Sequence, residues 1–133
     1  MILVDSSVWI DYFRGEPSAH TQQLDEWLGQ PVIEVAVADL VVYEVLRGFR
    51  QDQALHAAQD LLLELPFVEI GGRDNALLAA EHYRALRASA YTIRSPIDVL
   101  LASYCITHHH VLLHRDADFD VLETLRGLKT WRQ

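Results

Sequence analysis

The sequence predicts an α/β fold: a central, mainly parallel sheet of four or five strands with helices on both faces. Three observations lead there. Short apolar runs alternate with segments of helical periodicity, several runs end at an acid or a glycine, and no repeat, low-complexity tract or linker interrupts the alternation. With 133 residues, half of them hydrophobic, the chain can bury most of its unfolded surface around one core, so residues 1–133 are expected to form a single domain.

Met1 to Asp5 suits a buried strand ending at an acid, and Ser6 is placed to cap a helix through Val8, Trp9, Tyr12 and Phe13 to Gly15. A second helix fits Ser18 to Leu28, between Pro17 and Gly29. Val32 to Val37 reads as a strand, with Glu34 implying an exposed side. Asp39 is placed to cap a helix ending near Gly48, a further helix covers Asp52 to Leu65 before Pro66, and Phe67 to Ile70 makes a third strand closed by Gly71 and Gly72. After a long helix over Asp74 to Ser89, Ser95 and Pro96 give a strong helix start, with Ser at the cap and Pro in the first helical position. The stripe Ile97, Leu100, Leu101, Tyr104, Cys105 and His108 continues that helix. Val111 to Leu113 is a short strand, Asp116 to Leu125 a loop running into a helix, and Thr130 to Arg132 a last edge strand.

Composition narrows the class. A lone cysteine, Cys105, excludes an intramolecular disulfide and a Cys-based zinc site. The first residues carry Asp5 and Asp11 without a basic lead, unlike a signal peptide, and no apolar run reaches the roughly 18 residues of a membrane helix. A soluble cytoplasmic protein without membrane partners is expected. Nineteen acids against eleven bases give a net charge of -8, which opposes polyanion binding except through local patches, such as the arginines from Arg73 to Arg94. The same acidity suits a basic protein segment as partner.

Four acids then stand out: Asp5, Glu44, Asp98 and Asp116. Each lies at or beside the end of an apolar stretch, and in an α/β sheet such positions meet on the edge formed by the carboxyl ends of the strands. Converged carboxylates repel unless some are protonated or a cation lies between them, and an oxygen-only set favours Mg²⁺ or Mn²⁺ and phosphoryl chemistry. Each acid also has a structural alternative. Asp5 could cap the first helix, Glu44 could pair with Arg47, and Asp98 could interact with the amides of its own helix start. Of the acids after the fourth strand, Asp118 or Asp120 is the expected cap and Asp116 the expected ligand. His108, His109 and His110 fall at a helix end, where consecutive side chains diverge and protonated rings suit the dipole.

Taken together, Asp5-Ser6-Ser7-Val8-Trp9-Ile10-Asp11, Glu44-Val45-Leu46-Arg47-Gly48, Ser95-Pro96-Ile97-Asp98 and Leu113-His114-Arg115-Asp116-Ala117-Asp118-Phe119 resemble the four motifs of PIN-domain proteins, and within them the VapC-type toxins. The resemblance implies a PIN-like α/β/α sandwich and a Mg²⁺- or Mn²⁺-dependent endoribonuclease, with Asp5, Glu44, Asp98 and Asp116 as its catalytic acids and Asp5, Asp98 and Asp116 as metal ligands. Ser6 would position water or a carboxylate, and Arg115, or alternatively Arg94, would meet the charge of the substrate phosphate. It further implies an RNA substrate, for which a transfer RNA loop is a candidate, a VapB-like antitoxin and a homodimer built on apolar faces that could draw on Trp9, Phe13, Trp27 and Phe49. His114 departs from the Thr or Ser usual in the fourth motif.

Two other classes compete. An inactive PIN-like binding module would lack metal uptake. A receiver-type signalling domain needs an acidic pair after the first strand and a lysine near the last, whereas Ser6 and Ser7 follow Asp5 and the only lysine is Lys129.

Overall fold

The computed structural model describes residues 1–133, in which five strands and seven helices alternate. In chain order these are β1 (Ile2–Val4), α1 (Ser6–Arg14), α2 (Ala19–Leu28), β2 (Val35–Ala38), α3 (Asp39–Leu46), α4 (Asp52–Leu63), β3 (Phe67–Val68), α5 (Arg73–Ala88), α6 (Pro96–His108), β4 (Val111–Leu113), α7 (Ala117–Arg126) and β5 (Lys129–Thr130). All strand pairings are parallel, in the order β3-β2-β1-β4-β5. β1 is therefore central, and the chain direction across the sheet reverses beside it, between β1 and β4. Open α/β sheets bind ligands outside the strand ends at such a reversal.

β1, β2 and β4 are short and almost wholly apolar because helices cover both their faces, leaving no solvent side to alternate toward. Leu3, Val4, Val37, Leu112 and Leu113 sit in one continuous core with Trp9, Leu101 and Phe119 from the covering helices. Trp9 is fully buried and so is core, not a docking aromatic; Phe13, Trp27 and Phe49 are half-buried at its margin. No helix is long and apolar enough to cross a membrane.

The expected elements are present, with shifted ends. Ser6 is the first helical residue of α1 and Asp5 its cap position, since the Val8 and Trp9 amides bond to the Asp5 carbonyl. β2 starts at Val35, so Glu34 lies before the strand and only its carbonyl joins the sheet, accepting from Ile2 N–H at 2.8 Å. Asp39 begins α3 after the cap position Ala38, and its Oδ1 accepts the Ile70 N–H at 2.8 Å, tying α3 to the segment after β3. The face of α6 also differs from the expected stripe. Val99, Leu101, Ala102 and Cys105 are buried, whereas Ile97, Leu100 and Tyr104 are only partly covered and His108 is exposed, because α5 and the sheet both pack on this helix. His109 ends α6 in the left-handed region (φ 58°), which turns His110 back beside His108 with ring centroids 5.8 Å apart.

Candidate active site

Asp5 leaves the central strand at its carboxyl end, where its amide still bonds to the Leu113 carbonyl of β4 at 3.0 Å. Its side chain is buried, and burial, the largest influence, raises its pKa above the usual carboxylate range. The Ser7 hydroxyl donates to Asp5 Oδ2, and it opposes that rise together with the nearby amides of Ser7 and Ser6. Sequence reasoning placed this supporting role on Ser6. The side chain that touches Asp5 is that of Ser7, because α1 begins directly after β1 and turns the second serine back over its own N-terminus.

Asp98 reaches the same edge from the first turn of α6 and is buried. Its pKa is raised to about 7, first by burial and then by the charges of Asp5, Glu44, Asp116 and Asp118. Acids from three separate places, the starts of α1 and α7 and the body of α3, thus load one carboxyl group. Asp98 forms no ion pair with any basic side chain, and the cap residue before its helix, Ser95, makes no side-chain capping bond.

Glu44 stands midway along α3 with its Oε1 buried and without a hydrogen-bond partner. Arg47 does not pair with it; that guanidinium lies over the Tyr43 ring, 5.1 Å from its centroid. A buried, unpartnered carboxylate oxygen is costly and needs a cation or a donor from outside the chain.

Asp116 differs from expectation. It is the cap residue of α7, and its Oδ1 accepts the Asp118 N–H at 3.0 Å. Asp118 and Asp120 therefore occupy the first turn of the helix and do not cap it, because β4 ends at Leu113 and the chain must already turn at Asp116. Asp116 nonetheless acts on Asp98 electrostatically ahead of Asp118.

Arg115 is held by Asp11, with Nε 2.9 Å from Oδ2. Asp11 is buried on α1, and sequence reasoning did not assign it a role. Its signal was an acid on the face of α1 that also carries Val8, one turn before it. The pair fixes α1 to the loop after β4, across the sheet position occupied by β1.

These donors suit a hard divalent cation: all are carboxylate oxygens, one is an orphaned buried atom, and their mutual repulsion raises the proton affinity of Asp98. As the side chains stand, no three acidic, His or Cys groups are placed to hold one ion.

A parallel sheet with carboxylates gathered at the reversal beside its central strand, and helices on both faces, is the architecture of PIN-type α/β proteins; the PIN domain family profile matches residues 2–125. The chain belongs to the PIN domain family and, within it, to the VapC ribonucleases. It is 33% identical over 129 residues to ribonuclease VapC11 of Mycobacterium tuberculosis, covering 97% of this chain and 96% of that relative. The fold is similar to that of VapBC2 from Rickettsia felis, solved bound to a fragment of promoter DNA (TM-score 0.77, 15% identity, 98% of both chains). It also resembles the sarcin-ricin-loop-cleaving toxin VapC20 of Mycobacterium tuberculosis (TM-score 0.66, 17% identity, 91% of this chain and 94% of that one).

Proposed function

We propose that this chain is a divalent-metal-dependent endoribonuclease that acts in the cytoplasm as the toxin of a toxin–antitoxin pair and is neutralised by a VapB-like antitoxin. The observation that carries it is the loading of Asp98 by Asp5, Glu44 and Asp116, acids from three other parts of the chain, at the reversal of the sheet. Asp5, Asp98 and Asp116 would hold Mg²⁺ or Mn²⁺, with the orphaned oxygen of Glu44 beside them. A bound ion would supply Lewis-acid charge stabilisation and a more acidic water for hydrolysis of an RNA phosphodiester. Ser7 keeps Asp5 oriented, Ser6 begins the helix whose amides face it, and Asp11 holds Arg115 where its free guanidinium nitrogens can meet the substrate phosphate.

The apolar groove of about 300 Å³ between Phe13 of α1 and Phe49 after α3 fits an apolar stretch of the antitoxin, and the net charge of -8 favours basic residues beside it. The partly exposed face of α5 and α6 around Ala80, Tyr83 and Ile93 fits a second copy of the chain, which light scattering would register as a dimer.

Expression of the wild type, Asp5→Ala and Asp98→Ala in a bacterium, followed by sequencing of accumulated RNA 5′ ends, tests the activity. Growth arrest and defined cuts in the wild type alone support it, with cuts in transfer RNA or in the sarcin-ricin loop naming the target. Equal arrest in all three removes these carboxylates from the mechanism. The second reading, a non-catalytic PIN-like module, has one observation in its favour, the absence of a trio already set to hold an ion. Calorimetry that finds no Mg²⁺ or Mn²⁺ uptake at neutral pH would favour it.

A further inference from the structure

We propose that the cavity beside Asp116, walled by His114, Asp120, Trp131 and Arg132, is a subsite for one nucleobase of the RNA flanking the scissile bond, an inference that rests on the ribonuclease reading above. The cavity measures about 460 Å³ and is predominantly polar. It opens onto the acidic edge, because Asp116 and Arg115 belong to both.

His114 gives the cavity its character. The residue is only 7% exposed and its ring packs on Phe119, with centroids 4.8 Å apart. Its Nδ1 accepts the Asp116 N–H at 3.2 Å, so the neutral ring carries its proton on Nε2. That donor has no bond within the protein: Asp120 Oδ1 is 4.0 Å away, beyond hydrogen-bond reach. A fixed donor and a carboxylate acceptor thus stand side by side on one wall. Every nucleobase presents an acceptor next to a donor on its pairing edge, so the wall matches a base edge without selecting a single base.

The stacking surface comes from the end of the chain. Trp131 is half-buried, its amide bonds to the Leu112 carbonyl at 3.1 Å, and its ring is propped edge-on by His20 and Trp27 at 5.3 and 6.3 Å. A fixed indole beside polar groups is the usual platform for an unpaired base.

A phosphate fits the cavity poorly. Arg132, on its wall, is already paired with both Glu123 oxygens at 2.6 and 2.8 Å, and Asp116 and Asp120 add negative charge.

The test measures binding, not cleavage, in full-length Asp5→Asn protein with EDTA, titrated with a short labelled single-stranded RNA of mixed sequence and, separately, with each nucleoside 5′-monophosphate. Trp131→Leu is expected to weaken RNA binding by about tenfold or more, and Asp120→Ala and His114→Gln to weaken it several-fold. Inorganic phosphate should not compete. Asp120→Ala separates base from phosphate: loss of an acceptor weakens a base, whereas loss of a negative charge would tighten a phosphate. Unchanged affinity in Trp131→Leu and Asp120→Ala, tighter binding in Asp120→Ala, or displacement by inorganic phosphate overturns the subsite. Wild type that cuts no RNA overturns the ribonuclease reading instead, and the binding result still decides whether the cavity takes a base.

Discussion

The starts of α6 and α7 each bring an aspartate to the same edge of the sheet, and they treat it in opposite ways. At α7, Asp116 satisfies a backbone amide and caps its helix. At α6, Ser95 makes no capping bond and Asp98 is buried without a basic partner, under the charge of four other acids. A carboxylate used as a cap stabilises the fold, whereas one left unpaired is destabilising until a cation reaches it. The difference separates a carboxylate already engaged by a backbone amide from one that the fold leaves without a partner.

Removing the burdened carboxylate should have the largest effect. Asp98→Asn is expected to lower RNA cleavage by about 10²- to 10³-fold, measured as kcat/KM. The same change should stabilise the metal-free protein at pH 8 by about 2 kcal/mol in urea unfolding. The sign follows from linkage. A folded pKa of about 7 against an ordinary 3.8 means that the folded state binds the extra proton, so the stability due to Asp98 is full below about pH 4 and lost as pH rises through about 7. Asn imitates the protonated form. The gap between variant and wild type should therefore close at low pH, and a gap independent of pH would mean that Asp98 is not the titrating group.

Next comes the ion itself. Mg²⁺ competes with that proton, so calorimetric affinity should rise between about pH 5 and pH 7, and saturating Mg²⁺ should raise the wild-type melting temperature but not that of Asp98→Asn.

Asp116→Ala should cost about 1 kcal/mol of stability in the metal-free protein, as loss of a used cap does. Asp11→Asn breaks an ion pair whose acid is buried, and about 1 to 2 kcal/mol is expected by the same measurement. The smallest effect belongs to Ser95→Ala, under about 0.5 kcal/mol, because that hydroxyl makes no bond. If Ser95→Ala proved as costly as Asp116→Ala, the contrast between the two helix starts would fail.

Much of the fold was legible because its causes are local. Periodicity located all seven helices, and proline and glycine placed most of their ends within a residue or two. The errors were also local in origin but were settled elsewhere. Asp118 or Asp120 is the expected cap of α7, whereas Asp116 makes that bond, because the sequence does not show where β4 ends relative to the turn. The carboxylate contact, one of the two roles expected of Ser6, is made by Ser7, because the angle at which α1 leaves β1 is a tertiary property. Glu44 could have paired with Arg47 on helical spacing alone; Tyr43 holds that guanidinium instead.

By itself, the sequence determined the alternation of strands and helices, the acids at the ends of apolar segments and the motif order shared with PIN domains. Only the tertiary structure decided the strand order, the loading of Asp98 by distant charges, the Asp11–Arg115 tie and the cavity at His114. The division has a physical cause. Hydrogen bonding within helices and the burial of alternating faces act between near neighbours, so they are written in short spacings. Electrostatic fields and cavities sum over residues a hundred positions apart, and only the packed core sets those distances.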